Sequence, residues 1–452
     1  MKIIIVGSGK VGEALAAQLN EEGNHITIVD EDAETVKTLV SKYDIMGVIG
    51  NGATISTLIE AGVATANLVI AVTGNDEINL LCCILARRSS NCLTIARLRS
   101  PEYFTDISKV RRELGIAMIV NPDYAAAAEI ARILNFPSAI NIETFAKGRV
   151  ELLKFRLPEH SPLVGLYVKE VITKLKCNVL VCTVERDGEA LIPRGDLVFA
   201  EKDVISIIAS PKNANAFFKK INYKVTPVKA ATVVGGGNIT HYLCDALSRS
   251  SISLKVIEND PKICESLASD FDHITVINGD PSDEATLREE GAAKADAFVA
   301  LTSQDEENVL LSLFAKRTGK CKTITKINRI EYDDVINHLE LDSIVYPKNI
   351  TANTIVRYVR STANSRSSSM ENLYNIIKGQ VVAAEFTVGE QSPIADKPLR
   401  ELNLKDDVLI AAILRDRSVI IPRGQDVIES GDAVVIVTKQ IGLCDITDIL
   451  KK

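Results

Sequence analysis

None of the nine cysteines falls in a Cys-x-x-Cys pair. Zinc knuckles space their ligands that way, so no structural metal is expected. The adjacent Cys82-Cys83 and the others read as reduced, mostly buried thiols. No apolar run approaches the roughly 18 residues of a membrane helix. Lys2 and four apolar residues ending at glycine are too short for a signal peptide, so a cytosolic chain is expected. There is no long basic run, and the formal net charge is −7. That balance argues against a nucleic-acid partner, and with no helix-turn-helix it disfavours a transcription regulator. What remains is ordinary globular material. At 452 residues, 46% hydrophobic and 25% charged, the chain can build several cores.

The most informative stretch opens the chain. Ile3, Ile4, Ile5 and Val6 read as a strand buried on both faces. Gly7-Ser8-Gly9-Lys10-Val11-Gly12 then matches G-x-G-x-x-G, and Glu13 to Glu22 has helical spacing through Leu15 and Leu19. Between a strand and a helix this pattern is a phosphate-binding fingerprint. Gly7 allows the turn, Gly9 admits the phosphate, and Gly12 lets helix and strand pack closely. The helix amino end offers N–H groups and partial positive charge to an anion. A second strand, His25 to Val29, ends at Asp30, placed to accept from a ribose 2′-OH and to repel a 2′-phosphate. NAD is therefore favoured over NADP, with ATP or ADP open because they offer the same ribose.

Strands and helices then alternate. Helices are expected over Glu34 to Lys42 and Thr54 to Ala61, the latter with Ile55, Leu58 and Ile59 inward. Strands are expected at 46–49, 68–72, 93–97 and 118–120. This spacing gives a doubly wound parallel α/β sheet. The whole series recurs. Val233-Val234-Gly235-Gly236-Gly237-Asn238-Ile239 repeats the opening, Glu258 answers Asp30, and Ala300 to Asn308 answers Ala71 to Asn79. Thr325 to Tyr332 answers Ala96 to Tyr103. Between the large segments, Lys147-Gly148, Ser161-Pro162, Arg186-Asp187 and Ile192-Pro193-Arg194-Gly195 recur as Lys378-Gly379, Ser392-Pro393, Arg415-Asp416 and Ile421-Pro422-Arg423-Gly424. These read as small α+β domains, each with a closing helix. Four domains follow: 1–122, 140–224, 229–347 and 371–452. Linkers are expected around Lys224 to Lys229 and at the serine-rich, flexible Ser361 to Ser369. Helices over Tyr124 to Leu134 and Ala352 to Val359 carry small residues and are candidate crossover or dimer helices.

Two halves, each with a V-x-G-x-G loop, an acidic strand end, an (A/L)T…DE.N loop and an I-P-R-G hairpin domain, resemble the TrkA family of Trk-system potassium-uptake proteins. Each half looks like a regulator-of-potassium-conductance (RCK) module, a TrkA-N domain followed by a TrkA-C domain. The resemblance covers essentially the whole chain. It implies two tandem Rossmann-like sheets, and a cytosolic, nucleotide-sensing regulator peripheral to the inner face of the membrane. The implied partner is a TrkH- or TrkG-type integral membrane potassium channel, gated by a ring, a homotetramer. The implied ligands are NAD(H), with ATP/ADP at the same sites. The implied site residues are Gly7, Ser8, Gly9, Lys10, Val11, Asp30, Thr73, Gly74 and Arg97, and in the second half Gly235, Gly236, Gly237, Asn238, Ile239 and Glu258.

Arg97 ends a strand where it can neutralise a phosphate, against a plain reading as a surface salt bridge. Asp76, Glu77 and Asn79 are taken as residues at a helix amino end. Thr240 stands where the third glycine should be and is expected to push the helix out or crowd the phosphate. Asn238 replaces Lys10 and Lys326 replaces Arg97, leaving less positive charge. Arg186, Arg194, Arg415 and Arg423 read as hairpin surface charges. The alternative is an NAD-dependent oxidoreductase. It would need a general acid or base beside the nicotinamide, and His25, His160, His241, His273 and His338 do not fall where one is needed. No catalytic residue is assigned.

Overall fold

The computed structural model describes residues 1–104, 107–135, 141–145, 149–158, 160–223, 228–328, 336, 339, 341–363, 368–377, 380–390, 392–416, 418–440, 443 and 445–451. The Lys147-Gly148 and Lys378-Gly379 pairs, positions 329–332 of the repeat, His338, and positions 224–227 and 364–367 of the two linkers lie outside them.

The chain opens as β1 (Lys2–Val6), α1 (Lys10–Glu21), β2 (His25–Asp30), α2 (Ala33–Tyr43), β3 (Met46–Ile49), α3 (Ile55–Glu60) and β4 (Leu68–Ala71). Then come α4 (Asp76–Ser89), β5 (Leu93–Arg97), α5 (Pro101–Phe104), α6 (Ile107–Glu113), β6 (Met118–Val120) and α7 (Pro122–Asn135). The sheet is all parallel in the order β3-β2-β1-β4-β5-β6. Its strand order reverses between β1 and β4, the place where α/β sheets open a ligand crevice. β1 earns that central place through a β-branched run buried at Ile3, Ile4, Ile5 and Val6. On α1, Val11, Leu15, Ala16 and Leu19 recur at helical spacing and are buried against the sheet. One apolar face departs from expectation. On α3 only Leu58 is buried, while Ile55 is 52% and Ile59 62% exposed. The helix has fewer than two turns and lies beside β3, the edge strand of this sheet among the described residues.

The next segment forms β7 (Asn141–Phe145), β8 (Val150–Arg156), α8 (Val171–Leu175), β9 (Leu180–Arg186), β10 (Glu189–Leu191), β11 (Val204–Ala209) and α9 (Pro211–Lys220). The second half repeats the first with β12 (Ala230–Val234), α10 (Asn238–Leu247), β13 (Ser253–Glu258), α11 (Pro261–Asp270) and β14 (Ile274–Asn278). It continues with α12 (Glu284–Glu289), β15 (Ala297–Ala300), α13 (Asp305–Thr318), β16 (Lys322–Lys326), β17 (Ser343–Val345) and α14 (Pro347–Ala363). It closes with β18 (Ser368–Ile377), β19 (Val381–Val388), β20 (Val408–Arg415), β21 (Ser418–Ile420) and β22 (Ala433–Thr438). The second parallel sheet runs β14-β13-β12-β15-β16-β17, the same order as the first.

Compact packing pairs like with like. One unit is Met1–Ala131 with Val228–Val356, and the other is Arg132–Pro227 with Arg357–Lys452. The first unit thus holds both parallel sheets. Within it the halves meet at Tyr242, whose hydroxyl accepts from Asn121 (2.8 Å) and donates to the Arg99 carbonyl (3.0 Å).

The second unit holds two antiparallel five-stranded sheets, β10-β9-β11-β8-β7 and β18-β19-β22-β20-β21. One core lies between them. Phe145, Leu152 and Ile208 meet Ala383, Ala411, Ala412 and Val437, the alanines leaving room for the larger side chains. Three expectations are corrected here. Arg186 and Arg415 are not surface charges: each forks onto both oxygens of a buried carboxylate, Asp203 or Asp432. Arg194 and Arg423 do remain exposed. The second half ends in a 3-10 turn, Ile446–Ile449, instead of a closing helix, with Ile446 and Ile449 filling the core and Asp445 capping it. The serine-rich stretch is not a free linker at its ends, which belong to α14 and β18.

Overpacking tests the seam between these sheets. Ala383→Leu should destabilise the second unit by about 1–3 kcal/mol, read as an earlier transition in chemical denaturation.

Candidate functional site

The site of the first half begins where β1 stops. Gly7 takes φ +107°, and a Cβ there would lie 2.9 Å from the Thr73 nitrogen, so the loop passes tightly under the end of β4. Gly9 is the extended N-cap of α1, and the first helical bond runs from Glu13 N–H to the Gly9 carbonyl at 2.9 Å. The amides ahead of that bond are those of an open helix end. Gly12 sits against the Gly7 carbonyl, where a Cβ would come within 1.8 Å of the oxygen.

Ser8 faces inward. Its N–H (2.6 Å) and hydroxyl (2.8 Å) both donate to Asp30 Oδ2, while Oδ1 accepts the Asp32 N–H at 3.0 Å. Burial works to raise the Asp30 pKa, but these hydrogen bonds outweigh it and hold the carboxyl below its ordinary value. Asp30 is therefore a fixed carboxylate with lone pairs left for a ribose.

A cavity of about 610 Å³ spreads from this loop across the β1–β4 crevice. Gly7, Gly9, Lys10, Val11, Asp30, Thr73, Gly74 and Arg97 line it; Ser8 does not, being turned to Asp30. Arg97 is no surface salt bridge. Its Nη2 donates to the Thr73 carbonyl, its Nε is buried with no hydrogen-bond partner, and burial, then repulsion from Arg99, lowers its pKa. Among the described residues it makes no ion pair, although the charges of Asp76 and Asp123 act on it.

The polar loop after β4 has a different role from simple capping. Asn75 caps α4 by accepting from the Ile78 N–H at 2.8 Å. Asp76 is buried and receives the Arg99 and Ser100 N–H groups at 2.8 and 2.9 Å. Glu77 accepts the Tyr103 hydroxyl. Asn79 ties two strand ends together: Oδ1 accepts from the Thr73 N–H and hydroxyl at 2.8 Å, and Nδ2 donates to the Arg97 carbonyl at 2.9 Å. Asn308 likewise accepts from the Thr302 N–H and donates to the Lys326 carbonyl, while the Thr302 hydroxyl goes to the Gln304 carbonyl. The signal for this was present in the equal spacing of Thr73 to Asn79 and Thr302 to Asn308.

In the second half a cavity of about 570 Å³ is lined by Gly235, Gly236, Gly237, Asn238, Ile239 and Glu258. Glu258 accepts the Gly236 N–H at 2.6 Å and the Asp260 N–H at 2.8 Å, as Asp30 does in its own loop. Thr240 leaves the cap of the loop unchanged. But α10 must stand farther from its loop than α1 does, since a Cβ at Gly12 would come within 1.8 Å of the Gly7 carbonyl. Thr240 itself lines the second cavity. Gly237 keeps φ −68°, ψ −172°, close to the −63°, −177° of Gly9. The Thr240 side chain is wholly buried and its hydroxyl donates to the Gly235 carbonyl. Lys326 is buried, its Nζ 3.4 Å from the Leu301 carbonyl, and burial lowers its pKa.

The TrkA-N domain family model matches residues 3–122 and again 231–347, and the TrkA-C domain model matches 152–222 and 383–451. The chain belongs to the TrkA family. Curated relatives agree over nearly full length. It is 31% identical over 444 residues to Trk system potassium uptake protein TrkA homolog 1 of Methanosarcina mazei, covering 96% of this chain and 97% of that one. It is 32% identical over 445 residues to the TrkA of Haemophilus influenzae, covering 96% and 95%. In fold, this TrkA-family chain is similar to the GsuK RCK domain (TM-score 0.63, 18% identity, 97% of this chain and 92% of that one). It is similarly related to the GsuK channel bound to NAD (TM-score 0.63, 17% identity, 97% and 76%).

The two halves hold their helices against the strands differently, and substitution should show it. Gly12→Ala should cost about 3 kcal/mol of stability, because backbone must move. Thr240→Val should cost only about 1–2 kcal/mol, the loss of one buried hydrogen bond. Thermal denaturation of the two variants gives the comparison.

Proposed function

We propose that this chain is the nucleotide-sensing regulatory subunit of a Trk-type potassium uptake system, acting on the cytoplasmic side of a TrkH- or TrkG-type membrane channel. The observation that carries the reading is the fixed carboxylate of Asp30 beside an open helix end, both on one cavity at the strand-order reversal. That arrangement suits a ribose and its phosphates together. NAD(H) is the leading ligand and ATP or ADP the other, at sites formed by Gly7 to Val11, Asp30, Thr73, Gly74 and Arg97. Gly235 to Ile239 with Glu258 form the second site. Support comes from relatives named as Trk system potassium uptake proteins, and from the GsuK channel structures described as bound to NAD and bound to ADP. Among the described residues, no helix is long and apolar enough to cross a membrane, which fits a separate channel partner. The four segments 1–122, 140–224, 229–347 and 371–452 act as two N–C modules per chain, and several chains, in this reading a homotetramer, close into a ring.

The same fold serves dehydrogenases, so the choice rests on the site. Among the described residues no histidine lines either cavity, and the relatives are named as potassium uptake proteins. A regulator works if the ligand has unequal affinity for two arrangements of the protein.

Isothermal titration with NADH, NAD, ATP and ADP tests this, counting sites per chain. Asp30→Ala should weaken binding at the first site by about 10- to 100-fold, the worth of hydrogen bonds to a charged group. Asp30→Asn keeps an acceptor for Ser8 and controls for local folding. Affinity unchanged in both would remove Asp30 from the site.

A further inference from the structure

The first cavity is not built by the first half alone. Asn328, Pro347 and Lys348 of the second half line it together with Lys10 and Arg97. Lys348 stands in the first turn of α14, and its counterpart in the first half is Asp123, in the first turn of α7. The duplicated fold thus carries opposite charges at one position.

Their surroundings differ as well. Asp123 is buried and committed: Arg99 Nε is 2.9 Å from its Oδ2, and Asn238 Nδ2 is 3.4 Å from the same atom. Lys348 is half-buried, and among the described residues its ammonium makes no hydrogen bond or ion pair. It lies near enough to Glu13, in the first turn of α1, to act on that carboxylate. Glu13 is already engaged by Lys42 at 2.9 Å and by the Tyr43 hydroxyl at 3.1 Å. Lys348 is therefore a cation near the open end of α1, lining the cavity, with no ion pair among the described residues.

The second cavity has no such group. Two cations, Arg99 and Lys326, line it together with Asp123, Glu258, Asp280 and Glu307, whereas Lys10, Arg97, Arg99 and Lys348 line the first together with Asp30, Glu31 and Asp123.

We propose that Lys348 is a specificity-determining phosphate ligand, lent by the second half to the first-half nucleotide site, which recognises the terminal phosphates of a nucleoside di- or triphosphate. The inference rests on the nucleotide reading of that site. A nucleoside triphosphate ends in free, highly charged oxygens beyond the glycine loop. In a dinucleotide the pyrophosphate is internal and a second ribose follows it, so a lysine there gains less. Lys348 therefore sets a preference by phosphate number, and a bound triphosphate joins the two halves through it.

The test is titration of the full chain and of Lys348→Ala, Lys348→Glu and Lys348→Arg with AMP, ADP, ATP and NAD at low salt. Lys348→Ala should weaken ATP by about tenfold or more, ADP by less, and AMP and NAD by under about twofold, as expected for one charge-assisted contact. Lys348→Glu should weaken ATP further, and Lys348→Arg should restore it. An equal loss for all four ligands would make Lys348 structural and overturn the proposal; so would no loss at all. A wild-type chain that binds none of the four would remove the nucleotide site itself, and this inference with it.

Discussion

The approach of α1 to β1 is the constraint on which the first half depends. Gly12 lies so close to the Gly7 carbonyl that no other side chain fits without moving backbone. That closeness brings the open amino end of α1 over the carboxyl end of β1, beside the gap where the strand order reverses. Ser8 is then directed at Asp30, which becomes a carboxylate fixed by its own loop. The cavity, its amides and its acid follow from one contact between a helix and a strand. The second half reaches the same loop backbone by another route. There the helix stands off far enough to admit Thr240 at the position of Gly12, and the Thr240 hydroxyl donates to the Gly235 carbonyl.

Duplication preserved this frame and let the charges drift. Lys10 faces the first cavity where Asn238 faces the second, Arg99 corresponds to Asn328, and Lys348 stands where Asp123 stands. At an effective dielectric of about 20, one charge at about 4 Å from another is worth about 4 kcal/mol before desolvation is subtracted. Few such exchanges are needed to give two cavities of similar size different ligand preferences. The Arg99–Asp123 pair borders both cavities, so neither electrostatic environment is independent of the other.

Much of this was legible in the sequence because it is local. Glycines between an apolar run and a helical period announced the loop, and the recurrence of the whole series announced the second sheet. Asp30 could be placed because a strand end fixes where its last side chain lies. Local reasoning failed where the cause was distant. Ile55 and Ile59 have the spacing of an inward face, but α3 sits at a sheet edge that the periodicity does not reveal. Arg186 looked like a hairpin charge until Asp203, on another strand turn, closed on it. Asn79 resembled a cap because its partners, Thr73 and the Arg97 carbonyl, come together only once β4 and β5 pair. Lys348 is far from Gly7 in sequence, and only the packing of the two halves brings it to the first cavity.

That packing also bears on how a bound nucleotide can act at a distance. A ligand held within one sheet would stabilise that sheet and shift nothing else, since only unequal affinity for two arrangements moves an equilibrium. The first cavity is bordered by both halves, so any change in their mutual geometry changes what the ligand touches there. To carry a two-state equilibrium from about 1:99 to 99:1 takes a differential affinity of about 10⁴. One site built of a few charge-assisted contacts does not reach that. In the ring we propose, the free energies of several sites add, and four sites with about tenfold preference each are enough. On that proposal, tandem duplication and ring closure serve one physical purpose: to sum modest preferences, each set by a handful of residues such as Asp30 and Lys348, into a decisive one.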